Sequence, residues 1–150
     1  MPINVDISGL PELASRLQSP ELIAAPLRRG LDRAGYIVES EAKILTPVDR
    51  GRLRASITHE VDPAAVPLFC QIGTNVDYAR AVHDGRPPGS MPPISAISGW
   101  ATRHGLPAWP VAMAIRNNGT RSQPFLVPAL ERKTNDVMSA IDEGLRSIQL

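Results

Sequence analysis

Aromatic side chains are scarce, at 4% of the 150 residues. A core must therefore be built from Leu, Ile, Val and Ala. Cysteine is nearly missing too: Cys70 stands alone, which excludes an internal disulfide and fits a reducing compartment. No stretch approaches the ~18 apolar residues of a membrane span. The first ten residues lack both a basic start and a long apolar run, so no signal peptide is expected, and the chain reads as soluble and made in the cytoplasm. Neither sign of charge dominates, with 16 basic and 15 acidic residues. Nonspecific nucleic-acid binding relies on a surplus of Lys and Arg and is not the expected main task. Two local basic groups remain, Arg28, Arg29 and Arg33, and then Arg50, Arg52 and Arg54.

The usual signs of catalysis are also missing. His59, His83 and His104 have no ligand-like spacing, so no metal is expected. There is no GxxxxGK[ST] and no GxGxxG after a strand, so no nucleotide cofactor is expected either. Cys70 could serve as a nucleophile only with a distant histidine. It falls in phase with Val66, Leu68 and Ile72, which reads as a small buried hydrophobe. Asn118-Gly119-Thr120 matches a glycosylation triplet but reads as a turn or helix end, since Asn and Gly tolerate positive φ.

What the chain does have is proline, 15 residues of it, about twice the usual share. That implies many fixed turns and long connections. The length suits one domain, and the expectation is a single domain over residues 1–150. Alternation of Ile3, Val5 and Ile7 suggests a strand, and residues 10–17 a short helix. Ser19-Pro20-Glu21 has the chemistry of a helix start. From there Leu27, Leu31, Ala34, Val38, Ala42 and Leu45 mark one apolar face of a helix, with a kink or break expected before Leu27 and a stop at Pro47. Period-two alternation predicts strands over residues 53–61 and 66–73, joined by a turn at 62–65 as an antiparallel hairpin in which Ala55 and Ile57 pair across. Residues 85–93, rich in Pro and Gly, read as a mobile loop without ladder or helix. Two shorter helices follow, around Ile94 to Ala101 and Pro110 to Asn117. A C-terminal helix carries Leu130, Val137, Ile141, Leu145 and Ile148 on its apolar stripe. The predicted fold class is α+β: a small antiparallel sheet with a central hairpin, packed against a long N-terminal helix and a C-terminal helix.

Three corner-like clusters stand out. They are Pro47-Val48-Asp49-Arg50-Gly51-Arg52-Leu53, Gly73-Thr74-Asn75-Val76-Asp77-Tyr78-Ala79 with Asp84-Gly85 after it, and Pro124-Phe125-Leu126-Val127-Pro128-Ala129-Leu130. Each joins one regular element to the next, and as corners they need no further explanation. In their order and spacing, however, the chain resembles the head–tail joining, or tail-completion, family of long-tailed bacteriophages. Arg50 stands where that family commonly has threonine. The resemblance implies a structural virion protein with no catalysis and no cofactor. It implies a homo-oligomeric ring, a hexamer by tail symmetry, at the neck between the portal or connector side of the capsid and the tail tube. The implied partners are further copies of the chain, a connector or adaptor protein, and a tail terminator or tail tube protein. DNA would pass through without specific binding, and no membrane is involved. A tail-terminator ring capping the tube, or a small DNA-binding module, are the alternatives. The expected assembly interface is the proline-rich loop and its flanks, Tyr78, Asp84, Arg86, Pro87, Pro88 and Met91, with Arg50 and Arg52 from the first cluster.

Overall fold

A computed structural model describes residues 20–62 and 68–148. The predicted strand at 3–7, the helix at 10–17 and the turn at 62–65, apart from Asp62, lie outside these residues. Six helices and two strands follow in order: α1 (Pro20–Leu45), α2 (Arg52–Ser56), β1 (Thr58–Val61), β2 (Cys70–Gly73), α3 (Ala79–His83), α4 (Ile94–Arg103), α5 (Ala108–Asn118) and α6 (Leu126–Arg146). The strands pair as a two-stranded antiparallel sheet. The α+β class is therefore correct, with long helices near both ends of the chain.

Helix α1 begins at the expected proline and ends two residues before Pro47. Thr46 closes it, its hydroxyl donating to the Ala42 carbonyl at 2.6 Å. Pro26 removes one backbone donor but lies inside a continuous helix, so there is no break before Leu27.

The first predicted strand is corrected over half its length. Residues 52–56 are helical and the strand starts only at Thr58. Leu53 and Ile57 are buried at 4% and 0% exposure, while Ala55 between them is exposed. Burial at a spacing of four is helical, whereas a strand would bury alternate residues. Ala55 therefore cannot pair across the sheet, and Ile57 stands just before the strand. Over so few residues the two periods share their end points, which is why alternation misled.

Contacts divide the chain into two compact units. Among the described residues, one comprises 20–38, 59–62, 68–72 and 133–148; the other comprises Glu39–Thr58 and Gly73–Arg132. In the first, α1 and α6 cross with their backbones nearly touching. A Cβ added to Gly30 would stand 3.1 Å from the Ala140 carbonyl oxygen, and one added to Gly144 would stand 3.0 Å from Gly30 Cα. Ala34 and Ala140 are buried with the two glycines. This crossing corrects the predicted stripe. Leu31 and Ile141 are only half-buried, and Leu145 is exposed. Large side chains do not fit between backbones this close, so they flank the seam and small residues fill it.

The second unit has its own core of Leu53, Ile57, Val76, Ala79, Ala101, Ala112, Phe125 and Ala129. Within it, α4 and α5 pack as a helical hairpin. The link closes by donation from Gly105 N–H to the Thr102 carbonyl at 3.1 Å and from Leu106 N–H to the Ala101 carbonyl at 2.9 Å, the pattern of a glycine-terminated helix.

Candidate assembly surface

The three sequence clusters are corners built around the second unit's core. In the first, Asp49 accepts from both Arg103 donors, Nε at 3.1 Å and the terminal nitrogen, which ties the turn after α1 to the end of α4. The Arg103 guanidinium holds the Asp49 carboxyl below its ordinary value, and Asp49 in turn raises Arg103. In the second, Thr74 Oγ1 lies 2.5 Å from Ser56 Oγ and accepts from the Val76 N–H at 3.2 Å, so the chain leaving β2 is held against the end of α2. In the third, the Gln123 N–H donates to the Val82 carbonyl at 2.9 Å and Phe125 is buried at 1% exposure. Phe125 meets the His83 ring edge-on, with centroids 5.0 Å apart.

The loop at 85–93 is not bare of backbone pairing, as the sequence reading had it. Arg86 and Thr120 form an antiparallel bridge, with N–H to carbonyl distances of 3.1 and 2.8 Å, and the Gly89 N–H donates to the Arg116 carbonyl at 2.7 Å. Glycines flank the bridge for a steric reason. Gly85 and Gly119 have φ of 74° and 72°. A Cβ on Gly119 would fall 2.1 Å from the Arg86 oxygen. The chain itself thus pins part of a segment that reads as a mobile loop.

All eight expected interface residues fall in the second unit. Tyr78, Asp84, Pro87, Pro88, Met91, Arg50 and Arg52 are exposed, and Arg86 is half-buried. Six of them follow one path: Tyr78 precedes α3, and Asp84 to Met91 continue from its end. Two of these six are engaged within the chain. Arg86 donates to Ser90 Oγ at 2.6 Å, and Asp84 lies 2.7 Å from His83 Nδ1 and 3.5 Å from Arg80 Nε. His83, ahead of Arg80, holds the Asp84 carboxyl low. Arg50 and Arg52 belong to the other corner, and no hydrogen bond or ion pair among the described residues joins them to the loop. Beside that corner a shallow depression is lined by Lys43, Ile44, Gly51, Arg54 and Ala55.

The surface has a property the sequence reading missed. Of the chain's six aromatic residues, five are exposed and only Phe125 is buried. Trp109 is 61% and Tyr36 63% exposed, with Trp100, Phe69 and Tyr78 also open to solvent. Trp100 stacks on His104 at 4.2 Å. Scarcity of aromatics was legible in the sequence, but their outward placement was not.

The polar chemistry near Cys70 gives no activated thiol. Cys70 is half-buried, and burial followed by the Asp32 charge pushes its thiol up. Asp32 lies 3.4 Å from His59 Nε2. Among the described residues no group of His, Cys, Asp or Glu could hold a metal ion, and no helix is long and apolar enough to cross a membrane.

Residues 12–85, 74 of the 150, match a protein family described as "Bacteriophage HK97-gp10, putative tail-component". The matched segment includes α1, the sheet, and the first two corner clusters. The third cluster and the α4–α5 hairpin lie beyond it. No curated protein and no solved structure matches the chain.

Proposed function

We propose, from the match of residues 12–85 to a phage tail-component family, that this protein is a structural component of the virion that forms a ring at the head–tail junction. That match supports a structural role in the tail region. The neck position, the closed homo-oligomer and its hexameric symmetry are the finer reading. In that reading one domain per copy sits between the connector side of the capsid and the tail tube, and it meets a connector or adaptor on one side and a terminator or tube protein on the other. DNA passes through the lumen without specific contact. The ring assembles in the host cytoplasm, catalyses nothing and needs no cofactor.

The observation that carries an assembly role is the outward placement of five aromatics out of six. Exposed Trp and Tyr are the side chains that anchor protein interfaces, because they bury much area at little entropic cost. An isolated domain with so few aromatics would gain most by burying them. Tyr78 and the loop at 85–93 remain the proposed contacts, with Arg50 and Arg52 at the neighbouring corner.

Deleting the gene from its phage tests the role. The expected outcome under the electron microscope is DNA-filled heads and separate tails. Intact infectious particles without the protein would refute it. Native mass spectrometry of the purified chain should show a closed oligomer.

A further inference from the structure

The charges are unevenly divided. Residues 85–130 contain no acidic residue and four arginines, Arg86, Arg103, Arg116 and Arg121. The unit that holds them has ten basic and six acidic residues. Among the described residues of the sheet-bearing unit the balance reverses, with five basic and seven acidic. The chain's near-neutral total therefore hides two units of opposite sign.

The acid-free stretch includes the α4–α5 hairpin, which carries both tryptophans of the chain, Trp100 and Trp109, and an exposed Leu106. The sheet-bearing unit presents exposed Tyr36 and Phe69. Tyr36 stands 6.5 Å from His59 of β1, next to exposed Glu60. Each unit thus combines exposed aromatics with an excess of one sign of charge. Resting on the ring reading above, we propose that the α4–α5 hairpin of one copy docks on the sheet-bearing unit of a second copy of this chain, beside β1 with its exposed Glu60, head to tail.

Two different surfaces of opposite charge make a heterologous contact, the kind that generates rings. Complementary potentials set its register and speed its formation. Nucleic acid fits the hairpin less well. Of the four arginines Arg103 is paired with Asp49, while Arg86 donates to the neutral Ser90 hydroxyl, so Arg86, Arg116 and Arg121 have no ion-pair partner among the described residues. Three cations neutralise few phosphates, while exposed Trp and Leu have more to gain against protein.

The test uses the full chain and charge reversal on each side. R116E/R121E and E60K/D62K, each alone, are expected to weaken self-association by about tenfold or more, measured by analytical ultracentrifugation. Mixed in equal amounts they are expected to co-assemble into alternating oligomers. W109A should weaken association without lowering the unfolding temperature, so a charge variant that misfolds does not decide the matter. Normal assembly of both R116E/R121E and W109A would overturn the docking while leaving the ring reading intact. Failure of the wild-type chain to enter tailed particles would instead refute the ring reading. Loss of duplex DNA binding in R116E/R121E at physiological salt, with unchanged oligomers, would assign the hairpin to nucleic acid and overturn the proposal.

Discussion

At the residue scale the decisive positions are glycines and ion pairs. A Cβ on Gly30 would meet backbone atoms at 3.1 to 3.3 Å, and backbone does not yield as a flexible side chain would. Gly30→Ala is expected to destabilise by about 1–3 kcal/mol, the range for overpacking, and Gly30→Val by more. Gly73 has open space around it and no positive φ, so Gly73→Ala should change the urea midpoint little. Equal midpoints for Gly30→Ala and Gly73→Ala would show that α1 and α6 do not cross this closely. The pH dependence is equally specific. Asp49 and Asp84 have folded-state values below the ordinary 3.8. A depressed carboxyl contributes stability above its unfolded value and loses it as pH falls through the folded value. Stability should therefore decline below about pH 4, and Asp49→Asn should flatten part of that decline. Cys70 has the opposite sign: its raised thiol value keeps it neutral, so alkylation near pH 8 should be slower in the folded chain than in urea.

At the scale of elements, α2 shows where local pattern and tertiary packing part. Leu53 and Ile57 fill the core from one helical turn and the residue after it. Ile57→Ala should cost about 2–5 kcal/mol. Leu31→Ala and Ile141→Ala, half-buried beside a glycine seam, should cost less than Ile57→Ala in the same denaturant series. The loop at 85–93 is a second case. Its lack of helix or strand pattern was legible, but the partner that pins it, Thr120, lies 34 residues from Arg86. Gly119→Ala forces a Cβ into the Arg86 carbonyl. It is expected to raise hydrogen exchange at Arg86 and Gly89 while α1 stays protected. Unchanged exchange at both amides would mean the bridge is not what orders the loop.

At the scale of the whole molecule, stability and assembly should separate. Phe125 is the largest fully buried side chain among the described residues, and Phe125→Ala should cost about 3–5 kcal/mol, enough to threaten a marginal domain. Tyr78→Ala removes an exposed ring and should leave the unfolding temperature unchanged while reducing incorporation into tailed particles; normal incorporation would remove Tyr78 from the interface. The sequence by itself determined the ends of α1 through Pro20 and Pro47 and the corners at Gly51 and Gly85. Those features follow from backbone hydrogen bonding and allowed φ, which depend on a few neighbouring residues. Only the tertiary structure decided that residues 52–56 are helical, that glycine and alanine rather than leucine fill the α1–α6 seam, and that five aromatics face outward. Each of those depends on how closely distant backbones approach. An apolar stripe shows that a face can be buried, but the distance across the seam decides which of its side chains fit.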